Sequence, residues 1–481
     1  MPRLQAPKGT RDFYPDDLLR RRYIERLWRD TSIRHGFEEI DGPVFEHAEL
    51  YKIKSGEGIL AEMFGVFSGK SPEDLELVRR TGEAPLALRP EFTPTLARMF
   101  AARAGTLPRP TKWFWMQNCF RAERPQRGRL REFGQWNCDI LGGDSDTADV
   151  EILATLGNLL HQAGLTPHDA EIRINSRQLT ESLMERAGLP PESRPRFLQF
   201  LDGASKRSDP ENMRLLTEIG VSPDLAQRYR RIVDELRSLT TRADVSHEHL
   251  ERHGLQALQR VREGLGHDQA AWISLDFDIA RGLAYYTGLV FEVTARGERA
   301  IAGGGRYDGL IELFGGPPTP AVGFGMGDVV LSLILDDRGL IPDVDDIMDW
   351  LSRPSASYRP EAFVLTPDPA LDPLARQLVA ELRRGRPSPG WSNRTERRPW
   401  DADRYEPAAG GVRPLHARCS SKSTHNVGKL LQDAAAQRAR YAVIIENERH
   451  ATLKNLDTGT QDDSPIPLDA VGTELVRRLN P

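Results

Sequence analysis

Apolar and polar positions along this chain follow two periods, and the switches between them mark its elements. Leu19, Tyr23, Ile24, Leu27 and Trp28 recur at helical spacing, with Asp16 and Asp17 ahead and Gly36 behind, which predicts a first helix. Phe37 to Glu46 reads as a short strand broken by Gly42-Pro43, a composition suited to a sheet edge. Leu86 and Leu88 alternate with smaller residues, Pro90 interrupts, and a helix-like run follows to Phe100. Phe120 to Gly143 reads as strand, basic loop, strand, the second strand carrying Phe133, Trp136, Cys138, Ile140 and Leu141: an antiparallel hairpin with a long tip. Asp144 or Asp146 then caps a helix whose apolar face is Ile152, Leu153, Leu156, Leu159 and Leu160. Glu171 to Asn175 is a short strand, and residues from about 176 to 265 read as successive helices. Leu275, Phe277 and Ile279, a turn at Gly282, and Leu289, Phe291 and Val293 predict a second hairpin.

Residues 336–360 are acidic and then Pro/Ser-rich, which reads as a linker. Beyond them Ala362 to Leu365 is a strand, and Leu374, Leu378, Val379 and Leu382 form the face of a helix stopped at Gly385. A helix over 426–440 and strands over 441–445 and through Leu453 follow. This alternation predicts a small α/β domain with a mainly parallel sheet. The expected organisation is therefore a domain over 1–335 with its helical insertion, a linker over 336–360 and an α/β domain over 361–481.

Composition narrows the function classes. A net charge of -5 argues against a non-specific coat on nucleic acid, but leaves room for a local basic site. Cys119, Cys138 and Cys419 form no CxxC pair and no His/Cys cluster, so no metal centre or disulfide framework is expected, and a reducing cytoplasm fits. No apolar run is long enough to span a membrane.

Five stretches carry candidate chemistry. Arg121, Arg124, Arg127, Arg129 and Arg131 crowd the tip of the first hairpin. Guanidinium forks pair bidentately with phosphate, so the tip reads either as a polyanion clamp or as a solvated basic loop. Gln135 and Asp139 are four apart on its second strand and so share a face, where they could hold a small amine-bearing ligand. Glu91 and Thr93 sit at a strand-to-helix break, where a carboxylate could hold an α-ammonium group or Thr93 could simply cap the helix. Arg281 sits at the expected tip of the second hairpin with Tyr285 and Tyr286 behind it, and needs either a structural carboxylate or a ligand anion. Ala302–Asp308 (AGGGRYD) and Ala321–Asp328 (AVGFGMGD) are glycine-rich without the spacing of a dinucleotide fingerprint or a P-loop. Their glycines suit a close approach of backbone to a ligand or to another strand.

These strings together resemble the histidyl-tRNA synthetases among the class II aminoacyl-tRNA synthetases. The resemblance rests on KGTRDFYP from Lys8, LRPE-x-T from Leu88, FRAERPQRGRLREFGQ from Phe120, RGLAYYTG from Arg281, GGGRYDGL from Gly303 and AVGFGMGD from Ala321. A looser likeness to the family's anticodon-binding domain follows from YAVIIENERHATLKNLDTGTQ, starting at Tyr441. The resemblance implies an α+β catalytic domain on an antiparallel sheet, a helical insertion and a C-terminal anticodon-binding domain. It implies a homodimer that uses ATP with Mg2+ to join histidine to tRNA(His). By motif, Arg121 and Arg281 would act at the α-phosphate, with Glu123, Arg129 and Arg131 touching ATP. Glu91, Thr93, Gln135, Asp139, Tyr285 and Tyr286 would form the histidine pocket. Two departures stand out: Ala284 replaces a usual Asp, and Asp328-Val329 replaces the Glu/Asp-Arg pair of motif 3, for which Arg306 is a candidate substitute. These departures leave open a non-catalytic paralogue, such as the regulatory subunit of ATP phosphoribosyltransferase, or a tRNA- or histidine-binding sensor. The segment 386–416, rich in Arg, Pro and Gly with Trp391, Trp400 and Tyr405, reads as a mobile surface insertion or as a stack for unpaired bases.

Overall fold

The computed structural model describes residues 4–55, 62–204, 207–240, 255–279, 285–295, 300–389, 391 and 398–479. Sixteen strands are numbered here in chain order: β1 (Glu38–Glu39), β2 (Phe45–His47), β3 (Gly65–Val66), β4 (Leu86–Leu88), β5 (Thr111–Phe120), β6 (Glu132–Leu141), β7 (Ala170–Ser176), β8 (Ile273–Leu275), β9 (Leu289–Ala295), β10 (Ala302–Arg306), β11 (Ala321–Gly327), β12 (Ala362–Leu365), β13 (Ala417–Cys419), β14 (Tyr441–Ile445), β15 (His450–Asn455) and β16 (Ile466–Pro467). The helices that position the site are α1 (Pro15–Arg34), α2 (Ala48–Ser55), α3 (Pro72–Thr81), α4 (Thr93–Arg103) and α5 (Ser145–Gln162).

The central sheet has eight strands in the order β1-β5-β6-β11-β10-β9-β7-β8. Its pairings are antiparallel except at the two ends, where β1 runs parallel to β5 and β8 parallel to β7. Residues directly opposite in an antiparallel pair point to the same face. Trp136, Cys138 and Ile140 therefore face one side, where α1 offers Tyr23, Ile24, Leu27 and Trp28 and α5 offers Ile152, Leu156, Leu159 and Leu160 to the same core. Trp113, Trp115 and Cys119 of β5 face the other side and pack with Phe92, Leu96 and Phe100 of the segment entering and forming α4. The local signals explain the ends of these helices. Pro15 opens α1 with Asp16 and Asp17 in its first turn, and Gly36 at φ 76° turns the chain just beyond it. Asp144 caps α5 by accepting the Thr147 amide at 2.9 Å.

Two expectations change. Residues 275–293 do not form a hairpin, because β8 and β9 both pair with β7 and lie on either side of it. Strand alternation identifies the strands but carries no information about which pair. Within the expected linker, Val344–Ser352 forms a helix, capped by Asp343. Its Trp350 meets Tyr23 of α1 edge-on at 4.9 Å and lies under the Arg26 guanidinium.

The C-terminal sheet has the order β13-β12-β14-β15-β16, with β12 parallel to β13 and β14, and β15 and β16 antiparallel. The helix Asp372–Arg384 packs on it and stops at Gly385, φ 74°. From this helix Arg383 reaches across to α5, donating to both oxygens of Glu151 at 2.8 and 2.9 Å. Lys112 of β5 donates to the same carboxylate at 2.7 Å, and His35 lies 3.1 Å from it. Burial pushes Glu151 up, but Arg383 and Lys112 more than offset it and hold the carboxyl well below its usual range. Burial and the Arg383 charge lower His35 to about 4, so its imidazole is neutral there.

The described part of 386–416 is packed rather than loose. Arg386 and Val412 form a β-bridge, and Trp400 is 8 % exposed with its indole nitrogen donating to Asp346. Arg404 stacks on Trp391 at 4.9 Å and on Tyr405 at 5.1 Å. A guanidinium from the same segment thus covers one face of Trp391 and one of Tyr405.

Candidate active site

The site lies on the α4 side of the central sheet. Gln135, Asn137 and Asp139 project there from β6, opposite Gly327, Gly325 and Gly323 of β11. The glycines are small for a reason visible in their neighbours. A Cβ at Gly323 would collide with the Asp139 carboxylate, and one at Gly325 would meet the Gln135 amide. A Cβ at Gly305 of β10 would stand 2.8 Å from the Tyr286 ring. The alternating glycines let polar side chains of β6 and the ring of Tyr286 lie flat over neighbouring backbone.

Asp139 is 2 % exposed. Its Oδ1 accepts the Tyr307 hydroxyl at 2.5 Å, and its Oδ2 is buried without a hydrogen-bond partner among the described residues. Burial raises the carboxyl to about 7, while the Tyr307 hydrogen bond and the Lys54 charge work against that rise. Gln135 is fixed from behind, its Oε1 accepting the Cys119 thiol at 3.0 Å. Burial pushes that thiol to about 12, so it remains a donor. The Gln135 amide nitrogen lies against Gly325, where an added Cβ would stand 2.5 Å from it. Tyr285 stands 4.5 Å from Tyr286 and 6.4 Å from Tyr307, which makes an aromatic wall.

Glu91 and Thr93 approach from the start of α4. The Glu91 carboxylate pairs with Lys54 of α2, and the Lys54 ammonium also lies 4.2 Å over the Tyr285 ring. The Thr93 reading as a cap is not realised: the cap position is Phe92, which makes no side-chain cap bond, and Thr93 is the first helical residue. Phe92 itself turns into the core, stacked 4.3 Å from Trp115. Arg121 ties the hairpin to this segment, its Nε donating to the Pro90 carbonyl at 3.1 Å and its fork lying over Phe133. Among the described residues its terminal nitrogens have no protein partner.

The remaining loop arginines divide. Glu123 and Arg129 form a bidentate pair with each other, and Arg131 donates to the Glu123 carbonyl at 3.0 Å. Gln126 and Arg129 bridge a tight turn at Gly128, φ 75°. Arg124 and Arg127 are exposed at the tip. Arg281 and Ala284 lie outside the described residues.

Arg306 does not replace the motif 3 arginine. It is 5 % exposed and donates to Asp149 at 2.6 Å, to Asp308 at 3.0 Å and to the Ser145 carbonyl at 2.8 Å. The physical reason is strand alternation: Gly305 and Tyr307 face the pocket, so Arg306 between them points to the α5 side. Asp328 is also turned away, accepting from Arg11 at 2.5 Å and from the Gly134 amide at 2.9 Å. Sequence reasoning missed Tyr307, Cys119 and Lys54. Tyr307 was recoverable from the same period-two argument as Asp139, because it follows Gly303 and Gly305 at even spacing. Lys54 carried no signal in an exposed-looking basic helix.

A mostly antiparallel sheet whose one face carries a motif 2 hairpin, a glycine-lined floor and a buried carboxylate defines a class II aminoacyl-tRNA synthetase core. The family profile described as histidyl-tRNA synthetase matches residues 9–327. The chain is 42% identical over 350 residues to the histidine–tRNA ligase of Opitutus terrae, covering 71% of this chain and 77% of that protein. It is 35% identical over 344 residues to the chloroplastic/mitochondrial histidine–tRNA ligase of Arabidopsis thaliana, covering 71% and 68%. The crystal structure of histidyl-tRNA synthetase from Nostoc sp. PCC 7120 shares the fold at a TM-score of 0.55 and 22% identity, over 99% of each chain. The chain belongs to the histidyl-tRNA synthetase family.

Proposed function

We infer that this chain is a histidine–tRNA ligase. In the first step a carboxylate oxygen of histidine attacks the α-phosphorus of ATP, and the bond to pyrophosphate breaks. In the second, the 3′-terminal hydroxyl of tRNA(His) takes the histidyl group and AMP leaves. The observation that carries the reading is the buried Asp139 carboxylate with its unpartnered Oδ2. An imidazole N–H is a donor that would satisfy it, and an apolar side chain would leave that oxygen unpaired. Gln135, Thr93 and Glu91 would hold the α-ammonium and carboxylate ends, and Tyr285 and Tyr286 the ring.

Arg121 would hold the α-phosphate, with Arg281 opposite it. Glu123, Arg129 and Arg131 would meet the nucleotide once their mutual pairing opens. The work of such a site is positioning and neutralising charge at phosphorus. Mg2+ enters this proposal with the nucleotide's phosphates; among the described residues no group of three or more His, Cys, Asp or Glu side chains stands together as a metal site. A homodimer and a cytoplasmic location complete the reading. Among the described residues no helix is long and apolar enough to cross a membrane.

Histidine-dependent ATP–pyrophosphate exchange tests it. Exchange with histidine and not with other amino acids is expected. Histidine binding without exchange would instead favour a regulatory or sensing paralogue, the reading supported by Asp328-Val329 at motif 3. The fold alone does not separate the two. A Bacillus halodurans structure titled ATP phosphoribosyltransferase regulatory subunit/histidyl-tRNA synthetase shares it at a TM-score of 0.53 and 18% identity.

A further inference from the structure

Lys54 is a lysine with no exposed side-chain surface, placed inside the candidate amino-acid pocket. Such burial is costly unless the ammonium is paired. Its partner Glu91 keeps 21 % of its side chain exposed and gives Lys54 only Oε2; among the described residues Oε1 takes no hydrogen bond. The same ammonium sits over the Tyr285 ring, and Tyr285 leads through Tyr307 to Asp139. Five side chains thus cross the pocket in contact, with Lys54 joining the carboxylate at one end to the aromatic wall that ends on the other carboxylate.

We propose that Lys54 is a positioning residue for the amino-acid substrate: its buried ammonium holds Glu91 by one oxygen, turns the other toward the substrate's α-ammonium, and fixes the Tyr285 ring beside it. The proposal rests on the reading of this pocket as the histidine site. The opposite role, a plug that the substrate must displace, would leave a displaced ammonium buried with no second carboxylate against it among the described residues.

The test is calorimetric titration of the full chain with L-histidine, with 3-(imidazol-4-yl)propanoate, which lacks the α-amine, and with ATP. In Lys54→Met, histidine affinity falls about tenfold or more, most of its advantage over the des-amino analogue disappears, and ATP affinity stays within about twofold. Lys54→Arg restores histidine affinity to within about threefold of wild type. In a Glu91→Gln background, Lys54→Met costs about twofold or less, because the two residues act as one unit. The double variant carries neither charge of the pair, so this comparison remains available if Lys54→Met alone fails to fold. Unchanged or tighter histidine binding in Lys54→Met, or additive losses in the double variant, would overturn the proposal. A wild-type chain that binds no histidine and shows no exchange overturns the pocket reading itself, and the inference with it.

Discussion

Asp139 and Arg121 belong to one hairpin, on strand and loop residues only eighteen positions apart, yet their surroundings are opposite. Around Asp139 the neighbours are fixed: buried Tyr307 on one oxygen, and on the same strand Gln135 held by the buried Cys119 thiol. Around Arg121 the charges are half-buried or exposed, and several occupy one another, as Glu123 does Arg129. On the proposed reading, the difference separates the selectivity of the site from its turnover. A small amino acid is recognised by what stays put, because an unpaired buried group penalises the wrong side chain. A triphosphate is gripped by flexible cations that can re-pair, since exposed ion pairs are held only weakly.

Breaking the phosphate end should cost most. Arg121→Met is expected to lower histidine-dependent exchange by about a thousandfold while histidine binding, read by titration, changes by less than about threefold. Breaking the amino-acid end should do the reverse. Asp139→Asn is expected to weaken histidine about a hundredfold with ATP affinity unaltered, since it removes a charge-assisted bond. Loss of both affinities together would erase the contrast between the two ends.

Acidity sharpens it. Because the Asp139 carboxyl titrates at about 7, histidine affinity should fall as pH drops below that value, about tenfold per unit, and Asp139→Asn should flatten the profile. Stability runs the other way. A carboxyl raised in the fold contributes stability that is fully present below its unfolded value of about 3.8 and is lost as pH rises through about 7. Asp139→Asn should therefore raise the melting temperature at pH 8 by roughly a degree or two while leaving it unchanged at pH 4. The smallest effect is expected at the tip: Arg129→Met should raise the KM for ATP by less than about tenfold, because Arg129 must first leave Glu123.

Much of this arrangement was legible in the chain. The β5–β6 hairpin, the shared face of Gln135 and Asp139, the α5 cap at Asp144 and the strand–helix alternation after 361 all follow from period and capping. Such signals are local, and they name elements without naming neighbours. That is why residues 275–293 suggested a hairpin while β7 in fact lies between β8 and β9. It is also why Arg306 read as an available cation, when its partner Asp149 comes from α5. Lys54 illustrates the limit most plainly, since only the folded chain brings α2 against Glu91 and Tyr285.

The Arg383–Glu151 contact bears on modularity. The alternation after residue 361 suggests a unit that could be cut away or exchanged for another. Removing it would leave Glu151 facing Lys112 and His35 without the guanidinium that donates to both of its oxygens. A transplanted C-terminal unit would have to supply an arginine at the equivalent helical position, two residues before Gly385. The two bodies are thus matched by a keyed joint, and a chimaera that ignores the key should lose the seating of one body on the other even if each half folds.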